Sequence, residues 1–282
     1  MSLIPLALFY ARYKYIAYRL YLRFKMGKRL RDDYLKDEKI KVLDFLPQIP
    51  YNAKGIKVVL RKGTYDYYMF FPGGQQKREQ YVRDHLTMNE REVFVDVGAN
   101  VGAHSLRVAL NYAHMGVRVI AIEAEPEAYE TLVQNIRRNN LTNIDAINVA
   151  VSDHSGSAML HERSYDGVTV GTGLHSILNT APTDGNFIVR NGKTHQIKCD
   201  TLDNIISSHR ADVMKIDIEG AEIMALEGAT RVLTQLRKII VEIHDENLES
   251  VKEILQSNGF TLEIGGHACQ YVTGIKQGQK VL

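Results

Sequence analysis

Seven consecutive residues, Asp96-Val97-Gly98-Ala99-Asn100-Val101-Gly102, form a D-x-G-x-N-x-G loop. Glycine at 98 and 102 carries no Cβ, so the backbone there can approach a ligand closely. The spacing departs from the G-x-G-x-x-G of a pyrophosphate-binding turn. An aspartate at the loop mouth would repel a phosphate, and it can instead accept hydrogen bonds from an amino-acid ammonium. More acids follow: Glu123, whose carboxylate can take both hydroxyls of a ribose; Ser152 with Asp153, placed to reach an adenine edge; then Asp217 and Glu219, with His244 beyond them. Several carboxylates around one crevice suit a cationic ligand better than a polyphosphate. A lone acid at a strand end is also an ordinary helix cap or loop residue, a reading that bears most on Asp153.

These residues need a frame that gathers them at one rim. Residues 93–97, 117–122, 144–150, 213–216 and 239–243 are almost continuously apolar, the texture of parallel strands covered on both faces. Amphipathic helices separate them. One starts at Pro126, suited to a first helical turn, with Tyr129, Leu132, Val133 and Ile136 at helical spacing. Another, over 247–258, places Leu248, Val251, Ile254 and Leu255 on one face. The alternation predicts βαβ crossovers and a mostly parallel, doubly wound α/β sheet, with ligands outside the carboxyl ends of its strands. Residues 260–264 and 268–272 predict a closing antiparallel pair across Gly265-Gly266, and 56–60 with 65–71 predict a strand pair forming a small cap. The stretch 163–198 breaks the alternation with Gly167, Gly171, Gly173, Pro182 and Gly185. Its length suits a loop over an acceptor, with Thr172, His175 and Ser176 facing it, or else a surface insertion.

With 282 residues, 45% of them apolar, the chain can bury one large core or a domain with an appendage. The expected division is a basic aromatic extension and linker over 1–60, followed by 61–282 with the motifs concentrated in 90–262. Residues 1–31 hold eight Lys or Arg and no acid, which leaves a charge of about −6 on the remainder against +2 for the whole. That acidic body argues against a nucleic-acid partner. Tyr13, Tyr15, Tyr18, Tyr21 and Phe24 are interleaved with the basic residues. Such a helix either lies on an anionic membrane surface or packs on the main domain or a partner. The apolar run at 3–11 is too short to span a bilayer and precedes its positive charge, which argues against a signal peptide. Cys199 and Cys269 lack metal-ligand spacing, and a reducing, cytoplasmic setting is expected, peripheral to the membrane if the basic segment binds one.

The motifs together, over residues of about 90–262, resemble the FkbM family of methyltransferases. The segments that carry the likeness run from Val93 to Gly102, then Ala121-Ile122-Glu123, Asn148-Val149-Ala150-Val151-Ser152-Asp153, Asp200-Thr201-Leu202-Asp203, Lys215-Ile216-Asp217-Ile218-Glu219-Gly220-Ala221-Glu222, and Val241-Glu242-Ile243-His244. The resemblance implies a Rossmann-like seven-stranded sheet and S-adenosylmethionine as cofactor. It further implies cofactor contacts at Asp96, Gly98, Asn100, Glu123 and Asp153, and methyl transfer usually to an oxygen. The family often has E-P-N-P after its second strand, where this chain reads Glu123-Ala124-Glu125-Pro126.

A methyl displacement gains mainly from positioning, and a hydroxyl acceptor also has to lose its proton. His244 is one candidate base, since imidazole titrates near neutral pH; it can equally serve to hydrogen-bond a loop. Asp217 and Glu219 are the others, on one side only if the strand continues through them. These acids with His244 could also hold a divalent metal, although no metal is assigned. Glu222 is expected in a first helical turn, Lys215 as strand packing or a partner of the acids, and His104 as helix surface or pocket lining. Transfer to a small-molecule or glycan hydroxyl is the leading function. A nicotinamide oxidoreductase is the enzymatic rival, and a membrane-surface or nucleoside-binding module the non-catalytic one.

Overall fold

The computed structural model describes residues 51–53, 55–61, 66–70, 76–164, 175–178, 189–207, 209–243, 247–266 and 270–276. The basic segment 1–31, Thr172, Cys269 and His244 lie outside the described residues. All elements below belong to the unit Gln48–Leu282.

An antiparallel pair, β1 (Tyr51–Ala53) and β2 (Ile56–Val58), leads to two helices, α1 (Asp66–Phe70) and α2 (Gln76–His85). Strands and helices then alternate: β3 (Val93–Val97), α3 (Ala103–Asn111), β4 (Arg118–Glu123), α4 (Pro126–Arg138) and β5 (Ile144–Asn148). Three strands leave this series as a separate sheet, β6 (Ala150–Val151), β7 (Gly156–Ser164) and β8 (Val189–Asp200), ordered β6-β8-β7. The alternation resumes with α5 (Leu202–Ile205), β9 (Val213–Ile216), α6 (Glu222–Glu227), α7 (Thr230–Gln235), β10 (Lys238–Ile243) and α8 (Leu248–Ser257), and closes with β11 (Thr261–Gly265) and β12 (Gln270–Ile275).

The seven-stranded sheet has the order β11-β12-β10-β9-β3-β4-β5. Neighbours from β10 to β5 run parallel, and β12 lies antiparallel to both β10 and β11. Chain order reverses between β3 and β9, the crevice where such a sheet receives ligands. Alternation along each strand builds two cores. Val95, Val97, Ile120, Ile122, Met214, Ile216 and Val241 pack with Leu226, Leu233, Val251 and Leu255 from the later helices. Phe94, Val119, Ala121, Val213 and Ile240 pack on the other face with Val58, Phe70, Val82, Leu106 and Leu132.

Three local expectations change. Residues 66–70 are one helical turn in place of a strand. The Asp66 carboxylate accepts from the Arg61 backbone N–H and guanidinium, and an acid in the first turn also favours helix start. The strand expected over 144–150 is divided, because Ala150 and Val151 turn aside to pair with Cys199 and Asp200. Residues 189–198 of the expected loop belong to β8, which pairs antiparallel with β7. Thr194, His195, Gln196 and Lys198 are all exposed, and among the described residues of β8 only Ile197 and Cys199 are apolar and turned inward, so the apolar alternation is too short to announce the strand.

Candidate active site

The glycine loop joins the ends of three strands. Gly98 and Ala99 donate their N–H groups to the Ile122 carbonyl at 3.0 and 2.9 Å, on the β4 side. On the β9 side, a Cβ at Gly98 would stand 1.9 Å from the Asp217 carbonyl oxygen, and φ is +76°. Only glycine lets the two loops touch in this way. At Gly102, with φ +95°, a Cβ would meet Leu132 Cδ1 at 2.7 Å. Both close approaches are thus to protein atoms: Gly98 admits the turn after β9, and Gly102 lets the start of α3 pack on α4.

Glu123 ends β4, and both its oxygens are held by main chain. Oε2 accepts the Asn100 N–H at 2.7 Å and Oε1 the Glu125 N–H at 2.9 Å. Asn100 presents its N–H from a left-handed conformation, φ +49°, which asparagine tolerates better than most residues. Burial pushes the Glu123 carboxyl up to about 6, against the pull of those two N–H groups and of Arg61. The Asn148 side chain donates to the Glu123 and Ala124 carbonyls at 2.8 and 3.1 Å and seals the end of the strand. Arg61, only 3% exposed, donates to Glu125 Oε2 at 2.7 Å and to Asn100 Oδ1 at 2.9 Å.

Asp96 was expected at the loop mouth and is instead fully buried beneath it. Its side chain shares the sheet face that α3 covers, so Ser105 Oγ donates to Oδ2 at 2.6 Å. Lys215, its register neighbour on β9, stands 3.6 Å from Oδ1, an atom with no hydrogen-bond partner among the described residues. The Lys215 ammonium lies 3.2 Å from Asp217 Oδ2. Burial works against that charge, but Asp217, Asp96 and Glu242 outweigh it and Lys215 holds its proton more firmly than usual. The Tyr271 hydroxyl donates to Glu242 Oε2 at 2.9 Å. His104, buried on α3, is pushed well below its ordinary value by burial, helped by Lys215, Arg107 and Arg83.

The strand does not continue through Asp217. Glu219 is left-handed at φ +56° and Gly220 follows at +104°, so the i, i+2 relation of the two acids is broken. Glu222, at the start of α6 as expected, ties the turn down: Oε1 accepts the Gly220 N–H at 2.9 Å and the Ile218 N–H at 3.3 Å. Asn247 Nδ2 donates to the Gly220 carbonyl at 3.1 Å. From the long segment, Ser176 bridges to His161, and Leu178 Cδ1 would lie 3.5 Å from a Cβ at Gly220. The segment therefore reaches the acidic turn.

Ser152 and Asp153 form a second cluster. Ser152 is buried and donates through Oγ to Asp153 Oδ1 at 3.0 Å. Asp153 is exposed and pairs with His154 Nδ1 at 2.6 Å, an interaction that lowers its carboxyl further. Sequence reasoning missed Arg61, Ser105 and Asn247. Glu125 held a signal, since a second acid beside Glu123 needs a cation nearby. Among the described residues no His, Cys, Asp or Glu cluster has a metal-holding arrangement, and no helix is long and apolar enough to cross a membrane.

The strand order, the reversal at β3 and β9, and a glycine loop over an acidic rim define the Rossmann-like fold of class I methyltransferases. The chain belongs to the family described as the methyltransferase FkbM domain, matched over residues 96–262. It is 27% identical over 155 residues to the hexuronic acid methyltransferase AglP of Haloferax volcanii, covering 55% of this chain and 57% of that protein. It is 23% identical over 184 residues to Methyltransferase 1 of Beauveria bassiana, covering 60% of this chain and 72% of the other. A methyltransferase FkbM structure from Methylobacillus flagellatus superposes with a TM-score of 0.49 at 22% identity, covering 69% of this chain and 46% of its own. The match to AglP thus spans little more than half of that relative's length.

Proposed function

We propose that the chain is an S-adenosylmethionine-dependent methyltransferase that acts on a hydroxyl of a small molecule or glycan. The observation that carries this reading is the Glu123 carboxylate, oriented by the N–H groups of Asn100 and Glu125 at a strand end beside the glycine loop. Asp96, buried beneath the loop with Oδ1 turned toward Lys215, is a candidate to act on the amino-acid ammonium of the same cofactor through its charge and not by direct contact. When bound, the cofactor supplies a methyl group on a positively charged sulfur with a good leaving group. The residues of the chain do the remaining work. Glu123 accepts the ribose hydroxyls and Asp96 biases the loop toward positive charge. Ser152 and Asp153 are candidates for the adenine edge.

An acceptor hydroxyl has to release its proton to a group on the β9–β10 rim. Lys215 keeps its own proton and cannot take one. Asp217, Glu219 and His244 are the candidate bases, and the Leu178 approach to Gly220 supports an acceptor lying over that turn. Likeness to a hexuronic acid methyltransferase supports a carbohydrate acceptor.

Calorimetric titration with S-adenosylmethionine, S-adenosylhomocysteine and NAD tests the reading. Binding of the first two without NAD is expected; binding of NAD alone overturns it. His244→Ala should keep cofactor affinity and lose turnover, and full turnover in that variant removes His244 as the base.

A further inference from the structure

Arg61 precedes the matched stretch 96–262 and still reaches the middle of the site. Asn135 of α4 and Asn139, which caps the end of that helix, bring it there. Asn135 pairs its amide with both the N–H and the carbonyl of Val59, and Asn139 does the same for Lys57. Standing one helical turn apart, they hold this segment much as a neighbouring strand would. Asp66 fixes one edge of the guanidinium, accepting from Nε at 3.0 Å and Nη2 at 2.9 Å. The other edge is divided between Glu125 and Asn100. These are the two residues whose backbone N–H groups grip Glu123.

We propose that Arg61 is a positioning residue for Glu123: by clamping the Asn100 and Glu125 side chains it sets the two donors that aim the carboxylate at a ribose. The proposal rests on the reading of Glu123 as the ribose acceptor. It gives the segment before the matched stretch a part in the cofactor site. It also accounts for Glu125, which stands where the family pattern has asparagine and supplies the carboxylate that the guanidinium grips. The charged groups facing Glu123 are Arg61, which favours its ionised form, and Glu125 on its own loop, which opposes it. Asp66 stands behind Arg61.

The test uses the full chain and two readouts. Calorimetric binding of S-adenosylhomocysteine from pH 5.5 to 8.5 follows the ionisation of Glu123, and hydrogen exchange without ligand follows the Asn100 and Glu125 amides. Wild-type affinity should fall as pH drops through about 6. Arg61→Gln should move that midpoint upward by about one pH unit and speed exchange at both amides, leaving β10 and α8 unchanged. Glu125→Gln should move the midpoint downward. Arg61→Lys keeps the charge but loses the fork, so the midpoint should stay near wild type while exchange quickens. An unchanged midpoint with unchanged exchange in Arg61→Gln overturns the proposal. If that variant does not fold, unchanged exchange in Arg61→Lys does so. If wild type binds no S-adenosylhomocysteine at any pH, the cofactor reading fails by itself, and exchange still judges the clamp.

Discussion

The two halves of the rim are held by different kinds of contact. At the β3–β4 end, Glu123 is gripped by backbone N–H groups from residues 23 positions before it and two after it, donors that come with the main chain. At the β9–β10 end, side chains hold side chains and turns: Lys215 with Asp96 and Asp217, Glu222 with the 218–220 turn, Asn247 with Gly220. Backbone donors survive any substitution but proline and are already aimed before a ligand arrives. A side-chain network is only as sound as its weakest member. The cofactor half should therefore change by degrees, and the acceptor half should fail when a single residue is lost.

The largest effect tests that contrast directly. Lys215→Met leaves the buried Asp96 carboxylate without its cation and should cost about 3–5 kcal/mol of stability, read by urea denaturation; a loss under about 1 kcal/mol would remove the distinction between the halves. Gly98→Ala strikes the junction, where the new Cβ would meet the Asp217 carbonyl in a left-handed backbone. About 3 kcal/mol is expected from crowding and strain. Glu123→Gln sets an amide NH2 against one of two N–H donors. It should weaken S-adenosylhomocysteine binding by about 10- to 100-fold, and unchanged affinity would sink Glu123 as the ribose acceptor.

Smaller effects follow from pH and from the acceptor side. Glu123 titrates at about 6 in the folded chain, above its ordinary 4.5, so the native state binds a proton more readily than the unfolded one. Its contribution makes the unliganded protein more stable as pH falls from about 6 toward 4.5, and this advantage is lost as pH rises through about 6. Cofactor affinity runs the other way, because the ionised carboxylate accepts the hydroxyls, and it should fall by up to about tenfold per pH unit below that point. Opposite slopes in melting and in binding mark this one group; parallel slopes would not. Asn247→Ala should cost about 1 kcal/mol and quicken exchange in residues 217–222 without changing cofactor affinity.

Much of this was legible beforehand where one kind of force dominated. Strands β3, β4, β9 and β10 are buried on both faces, so they appear as unbroken apolar runs. The α4 helix announces itself through Pro126, with Glu125 capping the Glu127 and Ala128 N–H groups. The ribbon of β7 and β8 was not legible, since only Ala158 with Leu160 and Ile197 with Cys199 turn inward among mostly exposed polar residues, too short a period to mark two long strands. Arg61 was not legible either. An arginine after a short apolar run is a surface residue by default, and it becomes internal because Val59 and Lys57 before it are held by asparagines 76 and 82 positions further along the chain.

The amino-acid sequence by itself determined the doubly wound sheet, its closing antiparallel strand and the strand ends that carry Glu123 and Asp217, because apolar periodicity and glycine spacing act over a few residues. Tertiary structure alone decided that Asp96 lies under the loop beside Lys215, that Asp217 and Glu219 part company at a left-handed turn, and that Arg61 joins the site. Those outcomes depend on which distant groups share a buried space, where an unpaired charge costs several kcal/mol and every polar atom has to find its partner across the fold.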